Sequence, residues 1–132
     1  MKVSKKEDFA ILLMTVLARN FSDKYIPLSF VSKETNLSPL FLKHIALELK
    51  NKGLIISREG INGGYRLSRN PGNITAAHIL AAVNKVIVKT ACDSKTCRIE
   101  KDSCICLSFW NGFNRQMLAT LQNVKLSDIA RL

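Results

Sequence analysis

Two short β-type runs, Leu54-Ile55-Ile56-Ser57 and Tyr65-Arg66-Leu67-Ser68, flank the connection Gly60-Ile61-Asn62-Gly63-Gly64. Runs of this length around a Gly/Asn-rich turn read as a β-hairpin, and a lone hairpin is marginal in water unless something covers it. The segments before it have to supply the cover. Phe9, Leu12, Leu13, Val16 and Leu17 recur at helical spacing, which predicts an amphipathic helix over 5–20. Pro27-Leu28-Ser29 opens a short helix over 29–35, stopped by Asn36. Ser38 followed by Pro39 is a favoured helix start. The helix it opens carries Leu42, Ile45, Ala46 and Leu49, and Gly53 suits a left-handed cap at its end. Helix, short helix, helix, hairpin is the order of a winged helix-turn-helix; a small α+β domain that merely shares this order is the alternative.

Beyond the hairpin, Pro71-Gly72-Asn73 breaks the chain and Thr75 can cap a fourth helix with Ile79, Leu80 and Val83. After Val88 the pattern lapses into a cysteine-bearing loop. It returns over 107–124, where Trp110, Phe113, Met117, Leu121 and Val124 stand three or four apart. A long apolar stripe, late in a chain whose core is already supplied, is expected to bury against a second copy, as a dimerisation helix. Folding back on the first helix of its own chain is the other outcome. A short segment follows over 125–132, with Ser127 as candidate cap. The expected fold class is mainly α with a small β-hairpin wing: a winged helix-turn-helix plus a C-terminal dimerisation helix.

Charge says what such a fold would meet. Twenty Lys and Arg against ten Asp and Glu give a net charge of +10. Twelve of the basic and six of the acidic residues fall within the first 70 positions, so the excess belongs to a folded surface rather than a tail. That surface attracts polyanions, either nucleic acid or an anionic membrane face. The apolar run from Phe9 to Ala18 is too short to cross a bilayer and lacks a cleavage-type site. No membrane partner is expected, and a cytoplasmic, reducing location is. In a helix-turn-helix the second helix of the motif enters the major groove and its first residues meet base edges; here those are Ser38, Leu40, Phe41, Lys43 and His44. Ser38 and His44 can hydrogen-bond bases, Leu40 and Phe41 can pack on thymine methyls, and Lys43 suits phosphate. Phe41, four residues before Ile45, is equally suited to the core. Lys50 and Lys52 are expected on phosphates. The wing adds Arg58, Arg66 and Arg69, with Gly60, Gly63 and Gly64 keeping its tip thin enough for a minor groove or backbone. Residues 1–72 are thus expected to be the DNA-binding domain, with 73–132 supplying a helix, the cysteine loop and the dimerisation helix in one continuous compact unit. An enzyme is not expected: His44 and His78, distant in sequence and each on a helix, give no nucleophile–base constellation.

Cys92, Cys97, Cys104 and Cys106 lie in a C-x4-C-x6-C-x-C array. In a reducing compartment clustered thiols are ligands or redox sensors rather than structural disulfides. Structural zinc sites usually show paired C-x2-C knuckles, which are missing here. Irregular spacing along a loop suits an iron–sulfur cluster better, with zinc and a bare thiol switch left open, in that order.

The segment Leu37-Ser38-Pro39-Leu40-Phe41-Leu42, the run Leu47-Glu48-Leu49-Lys50-Asn51-Lys52-Gly53-Leu54-Ile55, the wing Gly63-Gly64-Tyr65-Arg66-Leu67 and the cysteine loop with Trp110 behind it resemble the Rrf family of bacterial winged-helix transcription regulators. The resemblance covers essentially the whole chain. It implies a homodimer on imperfect palindromes of double-stranded DNA, acting as a repressor that senses redox, nitric oxide or iron–sulfur status. It also implies an iron–sulfur cluster on Cys92, Cys97 and Cys104. The IscR-like branch places a His three residues after the third cysteine, where this chain has Leu107, which cannot ligate. The NsrR-like branch uses an Asp at the start of the first helix, reaching a 4Fe–4S cluster of the other protomer, and Asp8 stands in that place. A 4Fe–4S cluster is therefore favoured over 2Fe–2S. The alternative reading of Asp8 is that it serves only the positive N-terminus of its own helix. Cys106 is an alternative ligand, its other reading being a small hydrophobe buried at the start of the last helix. Glu59 and Arg58 stand where IscR-like members carry a wing Arg, and Leu40 and His44 replace polar residues of the recognition helix, so no operator sequence carries over. A regulator of this fold using thiol oxidation or zinc, and a winged-helix protein-interaction module, are the competing functions.

Overall fold

A computed structural model describes residues 4–84 and 104–131. Helix α1 spans Lys5–Arg19, α2 Leu28–Thr35 and α3 Pro39–Asn51. Strands β1 (Ile55–Arg58) and β2 (Gly64–Leu67) follow, then a 3-10 turn at Pro71–Asn73, α4 (Ala76–Val83), α5 (Ile105–Leu121) and α6 (Leu126–Ile129). It is the winged-helix order expected from the sequence.

Local chemistry explains the boundaries. At the start of α1 the Ser4 N–H donates to Glu7 Oε2 at 2.6 Å, which ties off one of the helix's orphan donors. Asn36 ends α2 by taking the left-handed conformation at φ 58°. Pro39 occupies the first turn of α3 behind Ser38. Just past the end of α3, Gly53 turns to φ 75° and its N–H donates to Lys50 O at 2.9 Å.

The core is a single cluster. Leu13, Met14 and Leu17 from α1, Val31 from α2, and Leu42, Ile45 and Leu49 from α3 meet Ile55 and Leu67 from the hairpin. Ile74, Ile79 and Leu126 join the same cluster from the C-terminal half. The hairpin is antiparallel with Ile55 opposite Leu67 and Arg58 opposite Gly64. The sequence does not disclose a rung from a third segment: Ile26 and Tyr65 exchange two backbone hydrogen bonds of 2.8 Å. The segment that launches α2 is thereby sewn to the second strand of the wing.

Two boundaries at the C-terminal end correct the sequence expectation. The striped helix runs Ile105–Leu121 rather than over 107–124, so Val124 lies beyond it. The reason is a competing use of the backbone: Val124 O accepts from Ala76 N and Ile74 O accepts from Leu126 N, each at 2.8 Å, while Thr75 bridges Lys125. The cap of α6 is Lys125, not Ser127, which sits within the helix. Asp128 accepts the Lys125 N–H at 3.3 Å. Among the described residues, no helix is long and apolar enough to cross a membrane.

Candidate nucleic-acid interface and cysteine site

Because α3 turns Leu42, Ile45, Ala46 and Leu49 into the core, the residues between them are left outside. Ser38, Lys43 and His44 are exposed, and Leu40 and Leu47 keep 67% and 55% of their surface in solvent. Phe41 divides its loyalties: it is 44% exposed, yet its ring meets Phe9 edge-on at 5.2 Å. Its ring is thus partly packed within the fold and partly open to solvent. Leu47 was missed, although the signal was present: it lies off the 42/45/49 face and seven residues beyond Leu40. Glu48 is held by Lys6 at 2.7 Å, which joins α3 to α1 and removes the one acidic charge of the helix. Lys43, Lys50 and Lys52 make no ion pair among the described residues.

The wing follows directly. Gly64 adopts φ 146°, and a side chain there would put its Cβ 2.3 Å from Ile26 O. At Gly63 a Cβ would lie 2.3 Å from Arg58 O. The glycines are needed for these close approaches of backbone, before any thinness at the tip is considered. Arg58 and Arg69 are exposed. Arg66 is drawn back toward the loop before α2: its guanidinium lies 5.1 Å from the centre of the Tyr25 ring and 3.4 Å from Asp23 Oδ1. Ile61, at the tip, is fully exposed. Between the tip and the α1–α2 connection lies a cleft of about 550 Å³, lined by Asp23, Tyr25, Pro27, Arg58, Asn62 and Gly63 among others.

Of the four cysteines, Cys92 and Cys97 lie outside the described residues. Cys104 is buried and is the N-cap residue of α5. Cys106 is exposed, which corrects the reading of it as a buried small hydrophobe. Nothing among the described residues covers that first turn of α5, where Ile105 too is 85% exposed. Asp8 is exposed in the first turn of α1, and its carboxylate has no hydrogen bond or ion pair among the described residues. Glu7 beside it is buried. Burial opposes its charge, but hydrogen bonds from the Ser4 hydroxyl, the Asn84 amide and the Ser4 N–H together outweigh it and lower its pKa. The Asn84 bond, 2.5 Å to Glu7 Oε1, fastens the end of α4 to the start of α1, one residue from Asp8.

Cys104 fits metal or cluster ligation. It is buried at the N-terminal end of a 17-residue helix, and its sulfur makes no capping hydrogen bond that would compete. Among the described residues no group of three or more His, Cys, Asp or Glu is assembled as a metal site.

With this geometry in hand, likeness to known proteins becomes informative. The model of the Rrf2 family, described as an iron-dependent transcriptional regulator, matches residues 3–132. The transcriptional regulator IscR of Klebsiella pneumoniae is 26% identical over 129 residues, covering 98% of this chain and 79% of its own. Among solved structures, CymR, the global cysteine regulator of Bacillus subtilis, superposes with a TM-score of 0.77 at 25% identity, over 99% of this chain and 97% of that one. The oxidised form of Staphylococcus aureus CymR gives 0.74 at 26% identity, over 100% and 98%. These relatives are transcriptional regulators, not enzymes.

Proposed function

Because this chain belongs to the Rrf2 family of transcriptional regulators, we propose that it is a homodimeric repressor of imperfect DNA palindromes, governed by an iron–sulfur cluster. The observation that carries the DNA half is the open outward face of α3, directly followed by a wing pinned to the entrance of α2. Ser38, Leu40, Phe41, Lys43 and His44 meet base edges. Lys50, Lys52 and Arg58 hold phosphates, and the backbone at Gly63 and Gly64 approaches the duplex. Arg66, gripped by Asp23 and Tyr25, backs the wing from behind. Residues 1–72 bind DNA and 73–132 sense and dimerise, working as one unit.

Helix α5 supports dimerisation. Trp110, Phe113, Met117 and Leu121 are only half-buried, and Asn114 is the one buried residue of the helix. A second copy would complete the burial of this stripe, with Val124 at its end.

For sensing, Cys92, Cys97 and Cys104 would hold a 4Fe–4S cluster, with the partner's Asp8 as fourth ligand. Bound there, the cluster supplies a centre sensitive to nitric oxide, oxidants and iron supply. Support comes from the iron-dependent description of the family, from Cys104 at a helix N-terminus and from Asp8, exposed and without a hydrogen bond or ion pair among the described residues. The role of this chain's residues is mechanical: Cys104 begins α5, so what it binds bears on the dimer helix, and through the dimer on the spacing of the two α3 helices. A cluster-free regulator using thiol oxidation is the second reading, favoured by the exposure of Cys106 and by the oxidised form described for Staphylococcus aureus CymR.

Anaerobic purification decides between them. Visible absorbance with iron and acid-labile sulfide is expected, and Asp8→Ala should speed cluster loss in air severalfold. Colourless protein without iron or sulfide after reconstitution would refute the cluster.

A further inference from the structure

We propose that α3 reads thymine: Leu40 and Leu47, on either side of His44, receive the 5-methyl groups of thymines in the major groove. The proposal rests on the DNA-binding reading above and names what that surface selects. Leu40 and Leu47 are seven residues apart, about two helical turns or ~10 Å, and both are more than half exposed. Neither serves the core, which takes Leu42, Ile45 and Leu49 from the same helix. His44 stands between them on the exposed side.

Thymine is the base that presents an apolar group in the major groove. A spacing of ~10 Å corresponds to about three base steps at 3.4 Å each along a strand. The face thus fits two thymines about three base pairs apart, with a hydrogen-bonding base edge for the imidazole between them. Phe41, whose ring packs edge-on against Phe9, is not one of this pair of leucine contacts. Charge assigns the occupant. The only acidic residue of α3 pairs with Lys6, while Lys43 and Lys50 on the same helix and Lys52 at its C-cap make no ion pair among the described residues. A leucine strip set among unpaired lysines complements a methyl-bearing polyanion.

The test begins with sites selected from a random DNA duplex library by the purified full chain. Each thymine of the enriched half-site is then replaced singly by deoxyuridine, which deletes the methyl and nothing else. At about 0.8 kcal/mol for a buried methyl or methylene group, each methyl read should cost roughly fourfold in affinity. One such position should lose its penalty in Leu40→Ala and another in Leu47→Ala. Both variants should fold normally, the leucines being exposed, and circular dichroism checks this. The proposal is overturned if uracil is tolerated at every position, or if the penalties persist in both variants. It is equally overturned if the variants weaken thymine and uracil duplexes alike, which would assign the leucines to another partner. Failure of the DNA-binding reading looks different: no sequence enriches, and no duplex is retained even at low salt.

Discussion

At the scale of single residues, Gly64 shows how a missing side chain shapes the wing. Two demands coincide there, a φ of 146° and an approach to Ile26 O that leaves no room for a Cβ. Gly60 meets only the first, with φ 105° and open space around it. Gly64→Ala should therefore cost about 2–3 kcal/mol, from backbone strain together with overpacking, whereas Gly60→Ala should cost about 1 kcal/mol from backbone strain alone. Urea unfolding checks this through the midpoints. Equal losses at the two positions would mean that the rung between Ile26 and Tyr65 contributes nothing.

At the scale of elements, Glu7 has a pH signature: it accepts from Ser4 at its own helix start and from Asn84, the latter joining α1 to α4. The carboxyl of Glu7 has a pKa below its ordinary 4.5 in the folded chain. As pH falls, the unfolded chain takes up this proton first. The contribution is fully present above about pH 5 and drains away as pH drops through the ordinary value toward the lowered one. Glu7→Gln should be less stable than the wild type at pH 7 and lose less on acidification; thermal midpoints between pH 7 and pH 3.5 measure both. Superimposable acid limbs would rule the linkage out. The bond to Asn84 also marks the limit of what the sequence discloses. Helix starts at Ser38-Pro39 and Thr75, stops at Asn36 and Gly53, and the glycine-rich hairpin were legible because each is a local signal in which one residue type meets one backbone demand. The Ile26–Tyr65 rung and the Glu7–Asn84 bond were not, since each joins positions tens of residues apart. Val124 was read as helical because its apolar spacing continues the stripe, while the backbone bond it makes to Ala76 leaves no mark on that spacing. At the site, the outward residues of α3 were legible from helical period, except Leu47, which was hidden by its membership of an otherwise apolar run. Cys92 and Cys97 were legible as candidate ligands from spacing alone, and they lie outside the described residues.

At the scale of the whole molecule, charge and assembly govern behaviour. A chain of net charge +10 should bind duplex DNA with steep salt dependence. Lys43→Ala, Lys50→Ala and Lys52→Ala should each flatten the plot of log affinity against log salt by about one unit if the lysine holds a phosphate. An unchanged slope in all three would remove them from the interface. Phe113→Asp, which puts a charge into the half-buried stripe of α5, should shift sedimentation toward monomer and leave the helical signal of each chain intact. A dimer as stable as the wild type would place the interface elsewhere. Finally, the stitch between Ile26 and Tyr65 makes the wing and the entrance to α2 behave as the jaws of a fixed-gauge caliper. The distance from the hairpin to the entrance of α2 is set inside the fold, by two backbone bonds and a glycine with no room to move. On the proposed DNA-binding reading, a duplex that does not match this gauge would have to adjust its own groove width or bend, and the DNA would bear the deformation. Base pairs that the protein never touches then influence affinity through how readily they deform.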